Sequence, residues 1–275
     1  AFEPFLAGTN GNPLRYDRTW GGLVGQRGLE PGQQVADFGS TYYNDHHYHW
    51  GYFIQAAAIV AHFDTAWGQA HRPWVEALIR DVSNPSREDR YFTTWRSFDW
   101  FSGHSWSQGL FESADGKDQE STSEEINYHC GVMLWGLATG NGPLADLGRL
   151  MLQVANRSIQ TYFLMDSQNE AHPPEFIGNK VTGIFFENKA HYTTWFGTQP
   201  EFIHGIQMLP MLPVTEVVRL PRFVAEEWQL LAEVARTIDT PWKSVLYMNY
   251  AILDPEEAFR VLRSCALDDG LTRTW

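Results

Sequence analysis

Apolar residues recur three and four positions apart along most of this 275-residue sequence, a pattern that indicates helices with one buried face. Most of these segments begin at Ser, Thr, Asp or Pro and end at Gly or Pro, as helices do. The predicted helices are 46–64, 72–83, 122–140, 144–165, 200–210, 221–236, 240–254 and 255–265. The sequence therefore predicts a mainly α-helical fold, which we expect to form a single domain over residues 1–275.

Local features sharpen this prediction at several places. Residues 1–44 are rich in Gly, Asn and Pro and are expected to form an irregular leading segment, while 181–188 is expected to contain a short strand. The helix over 72–83 has Pro73 near its first turn, where proline is tolerated. One apolar face of the helix over 46–64 is predicted from the spacing of Tyr52, Ala56, Ile59 and Phe63.

Charge and hydropathy exclude several classes of partner. The 20 Lys and Arg against 33 Asp and Glu residues give a formal net charge of −13, which repels nucleic-acid phosphates and anionic lipid surfaces. The longest apolar stretch, residues 52–63, is interrupted by Gln55 and His62 and is too short to cross a bilayer of about 30 Å. We therefore expect no nucleic-acid partner and no membrane association, and a neutral ligand is favoured.

Aromatic residues point to the kind of neutral ligand. The chain holds 12 Trp, 11 Tyr and 17 Phe residues, more than a core of this size needs. Exposed rings commonly hold flat-faced ligands such as sugars, although packing in the core stays open as the explanation for most of these residues. The segment 84–120 lacks helical periodicity and is dense in Gly, Ser, Asp and Trp. Loops of this length in compact domains are usually functional.

The first cluster of candidate functional residues lies where the helix over 46–64 begins. Asp45 directly precedes a run of imidazole and aromatic side chains, namely His46, His47, Tyr48, His49 and Trp50. Three interpretations are open: an N-cap role for Asp45, a metal site that pairs His49 with Asp45 or His46, and a general acid. The general acid is favoured, because burial beside aromatic rings raises a carboxyl pKa and keeps a proton available.

Two further clusters follow. Asp99, His104 and Trp106 lie in a glycine-containing loop, and loops with such residues are disproportionately binding surfaces. Glu120 and Glu124 are four residues apart at the start of a predicted helix and can face one site, with the adjacent Glu125 directed elsewhere. A capping box explains one of these glutamates and leaves the other free. Together with the aspartate of the first cluster they could supply the acid and base of glycoside hydrolysis.

Four blocks of the sequence resemble the signature blocks of the family 81 glycoside hydrolases, which are endo-β-1,3-glucanases also called laminarinases. The blocks are NDHHYHWGYFIQAAA, FDWFSGHSWSQGL, ESTSEEINYHCGVMLWG and EFIHGIQMLPMLP. They follow the order found in that family. The resemblance implies an (α/α)6-type helical toroid, incomplete in this chain, that hydrolyses β-1,3-glucan with inversion and uses no metal or other cofactor. It also implies the C-terminal catalytic part of an enzyme, without the family's N-terminal β-sandwich domain.

The resemblance also implies roles for single residues. Asp45 matches the family's general acid, and Glu120 and Glu124 match two glutamates of which one is the general base; Glu124 is favoured. Inversion requires acid and base about 6.5–9.5 Å apart, so we expect this separation between Asp45 and one of the glutamates. His49, His104 and Trp106 match substrate-groove residues.

The remaining substrate contacts are expected from residue chemistry. We expect Tyr42, Tyr48 and Trp106 to stack on glucose rings, and His49, Asp99 and His104 to bind hydroxyl groups or to orient carboxylates. The alternative function is a non-catalytic β-glucan-binding protein or receptor, which would use the aromatic groove without the acids. A secreted or cell-wall-associated location fits an enzyme that acts on such glucans.

Overall fold

Helices predominate in the computed structural model, which describes residues 2–110, 112–266 and 268. The α-helical segments are α1 (Glu3–Leu6), α2 (Ala36–Gly39), α3 (His46–Phe63), α4 (Thr65–Ser83), α5 (Thr122–Ala138), α6 (Gly142–Tyr162), α7 (Pro174–Ile177), α8 (Pro200–Gly205), α9 (Thr215–Val218), α10 (Pro221–Thr237), α11 (Trp242–Tyr250) and α12 (Pro255–Leu262). The strands are β1 (Leu14–Asp17), β2 (Gly22–Gly25), β3 (Phe98–Asp99), β4 (His104–Ser105), β5 (Asp118–Gln119), β6 (Ile184–Phe186) and β7 (Ala190–His191). Short 3-10 helices are formed by Gln26–Leu29 and Ser40–Tyr42. The prediction of a mainly α-helical fold is confirmed.

The chain divides into two compact units. The first contains the described residues of Ala1–Asp118 and Asn127–Val154, and the second those of Gln119–Ile126 and Ala155–Trp275. Helices α5 and α6 therefore contribute residues to both units. The single domain over residues 1–275 and the toroidal arrangement stay predictions. Within the described ranges, no helix is long and apolar enough to cross a membrane.

Helices α3 and α4 pack along each other in the first unit. Their contact is close: a Cβ added at Gly68 would lie 2.7 Å from the Cβ of Ala61. The buried face of α3 consists largely of small or branched residues, namely Ile54, Ala57, Ala58 and Ala61. The predicted face was wrong, because α3 is apolar nearly all round and its alanines, rather than its largest side chains, fit the close approach. The predicted residues Tyr52, Ile59 and Phe63 are 42%, 53% and 83% exposed.

Helix α4 begins earlier than its apolar pattern predicts. The carboxylate of Asp64 caps it by accepting a 2.9 Å hydrogen bond from the Trp67 N–H. Pro73 consequently lies inside the helix and not in its first turn, which corrects the prediction. The first two turns hid this start, since Trp67 is their only large apolar residue.

Short hairpins occupy segments that were expected to be irregular. Strands β1 and β2 pair antiparallel between Leu14 and Gly25, within the leading segment. Strands β3 and β4 pair Asp99 with His104 in the segment that lacks periodicity. Strands this short give no readable alternation in sequence. They nevertheless fix the loop residues that matter for the candidate site.

The second unit has its own apolar core and a small sheet. Core residues from α10, α11 and the segment before α9 include Met208, Met211, Leu231, Ala235, Val245 and Leu246. The sheet has the strand order β5-β6-β7, and Ile184 pairs with His191 in its antiparallel β6–β7 ladder. The strand predicted within 181–188 is therefore confirmed.

Candidate active site

Asp45 lies at the junction that begins α3. Its backbone is left-handed, with φ of 59° and ψ of 15°, a conformation that Asp and Asn tolerate better than other residues with a side chain. It is the N-cap residue of α3, but its side chain makes no capping hydrogen bond. The N-cap interpretation is therefore wrong for this carboxylate.

Backbone strain is concentrated around this aspartate. Asp37, Phe38 and Tyr43 also have positive φ angles, of 55°, 55° and 64°. Such conformations cost free energy in residues other than glycine, and they persist where the surrounding structure enforces them, often at functional sites. The segment that leads to Asp45 thus has the strained backbone that is often found at functional sites.

The loop at residues 107–110 holds this segment in place. The Asp45 N–H donates to the Ser107 carbonyl at 2.8 Å, and the Leu110 N–H donates to the Tyr42 carbonyl at 2.7 Å. A Cβ at Gly109 would lie 1.9 Å from the Tyr42 carbonyl oxygen, so the approach requires glycine there. The structure thus brings the first two sequence clusters together within one unit.

A buried polar network lies directly behind Asp45. His46 Nδ1 is 2.6 Å from Asp81 Oδ2, and the Trp50 indole N–H donates to the same oxygen at 2.8 Å. Burial acts to raise the pKa of Asp81, but the charge and hydrogen bond of His46, with Arg96 nearby, lower it below its usual value. This carboxylate therefore stays ionised and anchors the first turn of α3.

The same network bears on the metal interpretation. The second ring nitrogen of His46, Nε2, is 2.9 Å from the Ser40 carbonyl oxygen, so both nitrogens have partners. A metal bound by His46 and His49 would have to break one of these buried hydrogen bonds. Among the described residues, no three His, Cys, Asp or Glu side chains are grouped so that they could hold a metal ion.

His49 lies one turn into α3, half-buried between two rings. Its imidazole contacts Phe38 and Trp50 edge-on, at centroid distances of 5.8 Å and 6.3 Å. Burial lowers its pKa and outweighs the opposing charge of Asp37. The imidazole is consequently neutral near pH 7, and in this form it can both donate and accept hydrogen bonds.

The β3–β4 hairpin organises the second cluster around Asp99. This carboxylate accepts hydrogen bonds from the Ser102 hydroxyl at 2.8 Å and the Trp106 indole N–H at 3.2 Å. Burial acts to raise its pKa, but these bonds and two backbone N–H groups lower it. His104 packs edge-on against Trp106 at 4.5 Å. Both rings are almost fully buried, at 1% and 7% exposure, so they support the hairpin.

The predicted sugar contacts of these residues remain predictions. Tyr42 is half-buried, and Tyr48 is buried beside His47 at a centroid distance of 4.1 Å. Stacking on a glucose ring needs an exposed ring face. Tyr42 meets this requirement better than Tyr48 or Trp106.

The glutamates of the third cluster occupy different environments in the second unit. Glu125 is fully buried and accepts a 2.9 Å hydrogen bond from the Gln119 side chain, so it points into the interior. Glu124 lies in the first turn of α5 and is half-buried. Glu120 is also half-buried, and its Oε1 accepts a 2.9 Å hydrogen bond from the Trp195 N–H.

Gln207 fixes the start of α5. Its Oε1 accepts a 2.6 Å hydrogen bond from the Thr122 hydroxyl, and its Nε2 donates to the Gly183 carbonyl at 3.0 Å. The same Nε2 donates to the Glu120 carbonyl oxygen. One buried amide thus connects the chain between Glu120 and Glu124 to Gly183, which directly precedes β6.

A second buried network supports Gln207. The backbone carbonyl of Gln207 accepts a 2.9 Å hydrogen bond from the Arg219 guanidinium, which also binds Glu227. His204 Nδ1 is 2.9 Å from Glu227 Oε1, and its Nε2 is 3.0 Å from the Tyr192 hydroxyl. Burial acts to raise the pKa of Glu227, but the charge of Arg219 and the hydrogen bond with His204 lower it. The network therefore holds an ionised carboxylate in the core.

Comparison with known proteins identifies the family. The sequence model described as "Glycosyl hydrolase family 81 C-terminal domain" matches residues 1–275. The chain belongs to glycoside hydrolase family 81. The resemblance drawn from the sequence blocks is confirmed.

Relatives of this family 81 chain are known from several organisms. It is 45% identical to a glucan endo-1,3-beta-D-glucosidase of Arthroderma benhamiae, over 100% of this chain and 31% of the relative. It is 42% identical to glucan endo-1,3-beta-D-glucosidase 2 of Saccharomyces cerevisiae, over 100% of this chain and 36% of the relative. For the primary septum glucan endo-1,3-beta-D-glucosidase of Schizosaccharomyces pombe, the identity is 44%, over 100% of this chain and 28% of the relative. The chain thus spans about a third of the length of these relatives.

A solved structure shares the fold. The family 81 glycoside hydrolase of Clostridium thermocellum, solved as a variant, superposes with a TM-score of 0.84 at 30% identity. The match covers 99% of this chain and 38% of that one.

The three predicted catalytic residues of the family 81 chain fall in different units. Asp45 belongs to the first unit, and Glu120 and Glu124 belong to the second. The predicted separation of about 6.5–9.5 Å between acid and base stays a prediction.

The family 81 structure also shows polar residues near these acids that sequence reasoning missed. Asp118 is buried and accepts a 2.7 Å hydrogen bond from the Ser107 hydroxyl, and burial raises its pKa. It lies two residues before Glu120, so its position in the polar third cluster was an available signal. Gln207 lies in the block EFIHGIQMLPMLP, which marks its segment without indicating its contacts, and Trp195 had no such local signal.

Proposed function

We propose that this chain carries the catalytic site of an inverting endo-β-1,3-glucanase, with Asp45 as general acid and Glu124 as general base. Glu120 acts beside the base. Membership of family 81 and the names of three relatives support the substrate class. The observation that carries the acid assignment is that Asp45 is held in a left-handed backbone conformation at the start of α3, where its N–H binds the Ser107 carbonyl.

The proposed reaction proceeds in one displacement. The protonated Asp45 carboxyl donates its proton to the glycosidic oxygen as the bond from that oxygen to the anomeric carbon breaks. Glu124 accepts a proton from water, whose oxygen forms the new bond on the opposite face of the sugar. Exchange with solvent then returns the proton to the acid and removes it from the base.

Charge and hydrogen-bonding capacity suit a neutral polysaccharide. The net charge of −13 does not penalise a neutral glucan, whereas it would repel a polyanionic one. A neutral His49 can bind a sugar hydroxyl as donor or acceptor. Tyr42 supplies the partly exposed ring beside Asp45 for stacking.

The setting of the reaction follows from the same relatives. One of them is named for the primary septum, so we propose that this chain acts on cell-wall glucan, in a secreted or wall-associated location. Because the relatives are about three times as long, the catalytic site is proposed to work within a longer protein that carries an N-terminal domain.

Two aspartates at helix N-caps allow a matched test. Asp45→Asn keeps a side chain that tolerates the left-handed backbone but removes the proton donor. We expect laminarin hydrolysis to fall by about 10²- to 10⁴-fold while laminarin binding is retained. Reducing-sugar release measures the rate. NMR of the first product of the unmodified protein should show the inverted α-anomer.

Asp64→Asn is the control, because Asp64 caps α4 with its carboxylate and asparagine caps equally well. We expect this variant to hydrolyse laminarin at the unmodified rate. Unchanged hydrolysis by the Asp45 variant would reject the acid assignment. If the unmodified protein binds laminarin but releases no reducing sugar, the non-catalytic alternative is correct instead.

A further inference from the structure

Trp195 combines a backbone hydrogen bond to Glu120 with an exposed ring. Its backbone N–H donates to Glu120 Oε1 at 2.9 Å, which places the residue directly beside a proposed catalytic carboxylate. Its side chain is 65% exposed. A tryptophan this exposed forgoes about 1–2 kcal/mol or more of the stabilisation that burial would give. The position therefore calls for a functional explanation.

The backbone beneath Trp195 is tightly fixed. The Thr194 N–H donates to the Gly197 carbonyl at 3.1 Å, and the Gly197 N–H donates to the Thr194 hydroxyl at 3.0 Å. A Cβ at Gly183 would lie 2.0 Å from the Thr193 carbonyl oxygen, so the segment is pressed against the strand that begins at Ile184. The exposed indole thus projects from a rigid turn.

An aromatic neighbour orients the ring of Trp195. Phe186 is buried and meets the Trp195 indole nearly perpendicularly, at 78° and a centroid distance of 6.0 Å. The next residue behaves differently: Phe196 packs on Phe202 and lies parallel to Trp242 at 6.0 Å. Phe196 therefore anchors the turn, while Trp195 directs its indole to solvent.

We infer that Trp195 is a substrate-binding residue that stacks on a glucose ring of the glucan chain beside Glu120. This inference rests on the proposed function and extends it. The C–H groups on the face of a glucose ring suit an aromatic face, and a neutral sugar suits an acidic chain. Because one residue supplies both the N–H that holds Glu120 and the ring, the position of the sugar would be tied to that carboxylate.

The test separates ring stacking from apolar bulk. In the full protein that contains this chain, Trp195→Ala and Trp195→Leu should each raise KM for laminarin about three- to tenfold with kcat little changed. Trp195→Tyr, which keeps a flat ring and the backbone N–H, should restore most of the affinity. Calorimetric titration with laminari-oligosaccharides should show the same order. The thermal unfolding midpoint should not move, because the indole is exposed.

Phe259→Ala is the matched control, since Phe259 is 66% exposed on α12 of the same unit. It should leave KM unchanged. If the Ala and Leu variants keep KM within twofold while Asp45→Asn abolishes hydrolysis, the stacking role is wrong and the proposed function stands. If Asp45→Asn also hydrolyses laminarin normally, the proposed function fails, and the oligosaccharide titrations then decide the stacking role by themselves.

Discussion

Each unit holds a buried histidine–carboxylate pair that supports a proposed catalytic carboxylate, but the two pairs lie at very different distances in sequence from the carboxylate they support. In the first unit His46 follows Asp45 directly and binds Asp81 at 2.6 Å. In the second unit the pair of His204 and Glu227 acts through the amide of Gln207, whose hydrogen bonds to the start of α5 join residues 85 positions apart. The acid is thus supported locally and the glutamates by tertiary packing.

The arginine in each network shows a second difference. Arg219 is 1% exposed and binds the Glu227 carboxylate directly. Arg96 donates its hydrogen bonds to the carbonyl oxygens of Asp81, Trp20 and Gly21, and its Nε lies 3.7 Å from the Asp81 carboxylate. An ion pair therefore stabilises the network of Arg219, whereas Arg96 mainly binds backbone carbonyl oxygens.

The largest expected effect tests this difference in charge pairing. Arg219→Ala leaves Glu227 ionised and buried with less compensation, so we expect the free energy of unfolding to fall by about 3–5 kcal/mol. Arg96→Ala removes hydrogen bonds to carbonyl oxygens and should cost about 1–3 kcal/mol. Urea unfolding followed by circular dichroism measures both losses. Equal losses would remove the distinction between the two networks.

An intermediate effect tests the long-range connection through Gln207. Gln207→Met keeps the volume but removes the hydrogen bonds to Thr122, Gly183 and Glu120, so the glutamates lose their fixed position. A loss of about 1.4 kcal/mol of transition-state stabilisation lowers kcat about tenfold, and we expect a fall of this order with KM little changed. Steady-state kinetics on laminarin measures it.

Gln160→Met is the control for that variant. The Gln160 amide, in the second unit, also donates to backbone carbonyl oxygens, at Val217 and Val218. These bonds join α6 to the end of α9, so their loss should leave kcat unchanged. A similar fall in kcat in both variants would mean that general destabilisation of the unit, rather than the position of the glutamates, controls the rate.

The smallest expected effect concerns pH and the two carboxyls of the first unit. The pKa of Asp81 is lowered, so its stabilisation is present above the unfolded value near pH 4 and is lost as the pH falls through the folded value. The pKa of Asp118 is raised, so its stabilisation is present at low pH and is lost as the pH rises through the folded value.

Asp118→Asn should remove the second dependence, because asparagine can still accept the Ser107 hydrogen bond without carrying a charge. We expect the thermal unfolding midpoint to rise slightly at pH 7 and to decline less between pH 4 and pH 7. Asp81→Asn should instead weaken the network and flatten the acid side of the profile. A midpoint that falls at pH 7 in the Asp118 variant would contradict the assigned direction of its pKa.

What the sequence predicts well is local in origin. The helices with a strong amphipathic period appear, with ends that differ by a few residues, because caps and periodicity lie within each segment. The cluster around Asp45 can be predicted for the same reason, since its histidines and aromatic residues are neighbours in the sequence. Family membership is predicted correctly from the blocks that contain these residues.

What the sequence does not reveal depends on which distant segments pack together. The apolar spacing of α3 predicts the wrong buried face, because the close approaches of α4 at Gly68 and of α5 at Gly131 decide which face is buried. Trp195 and Gln207 lie 75 and 87 residues from Glu120. The block EFIHGIQMLPMLP contains Gln207, but no local pattern predicts that either residue contacts that glutamate. Their contribution becomes visible only in three dimensions.

Gly109 has a consequence for the comparison of homologues. A Cβ atom at this position would lie 1.9 Å from the Tyr42 carbonyl oxygen, so no residue with a side chain fits there. A homologue with any other residue at this alignment column must route the backbone before its acid differently. A glycine at this alignment position therefore identifies the homologues to which the backbone geometry around Asp45 can be applied.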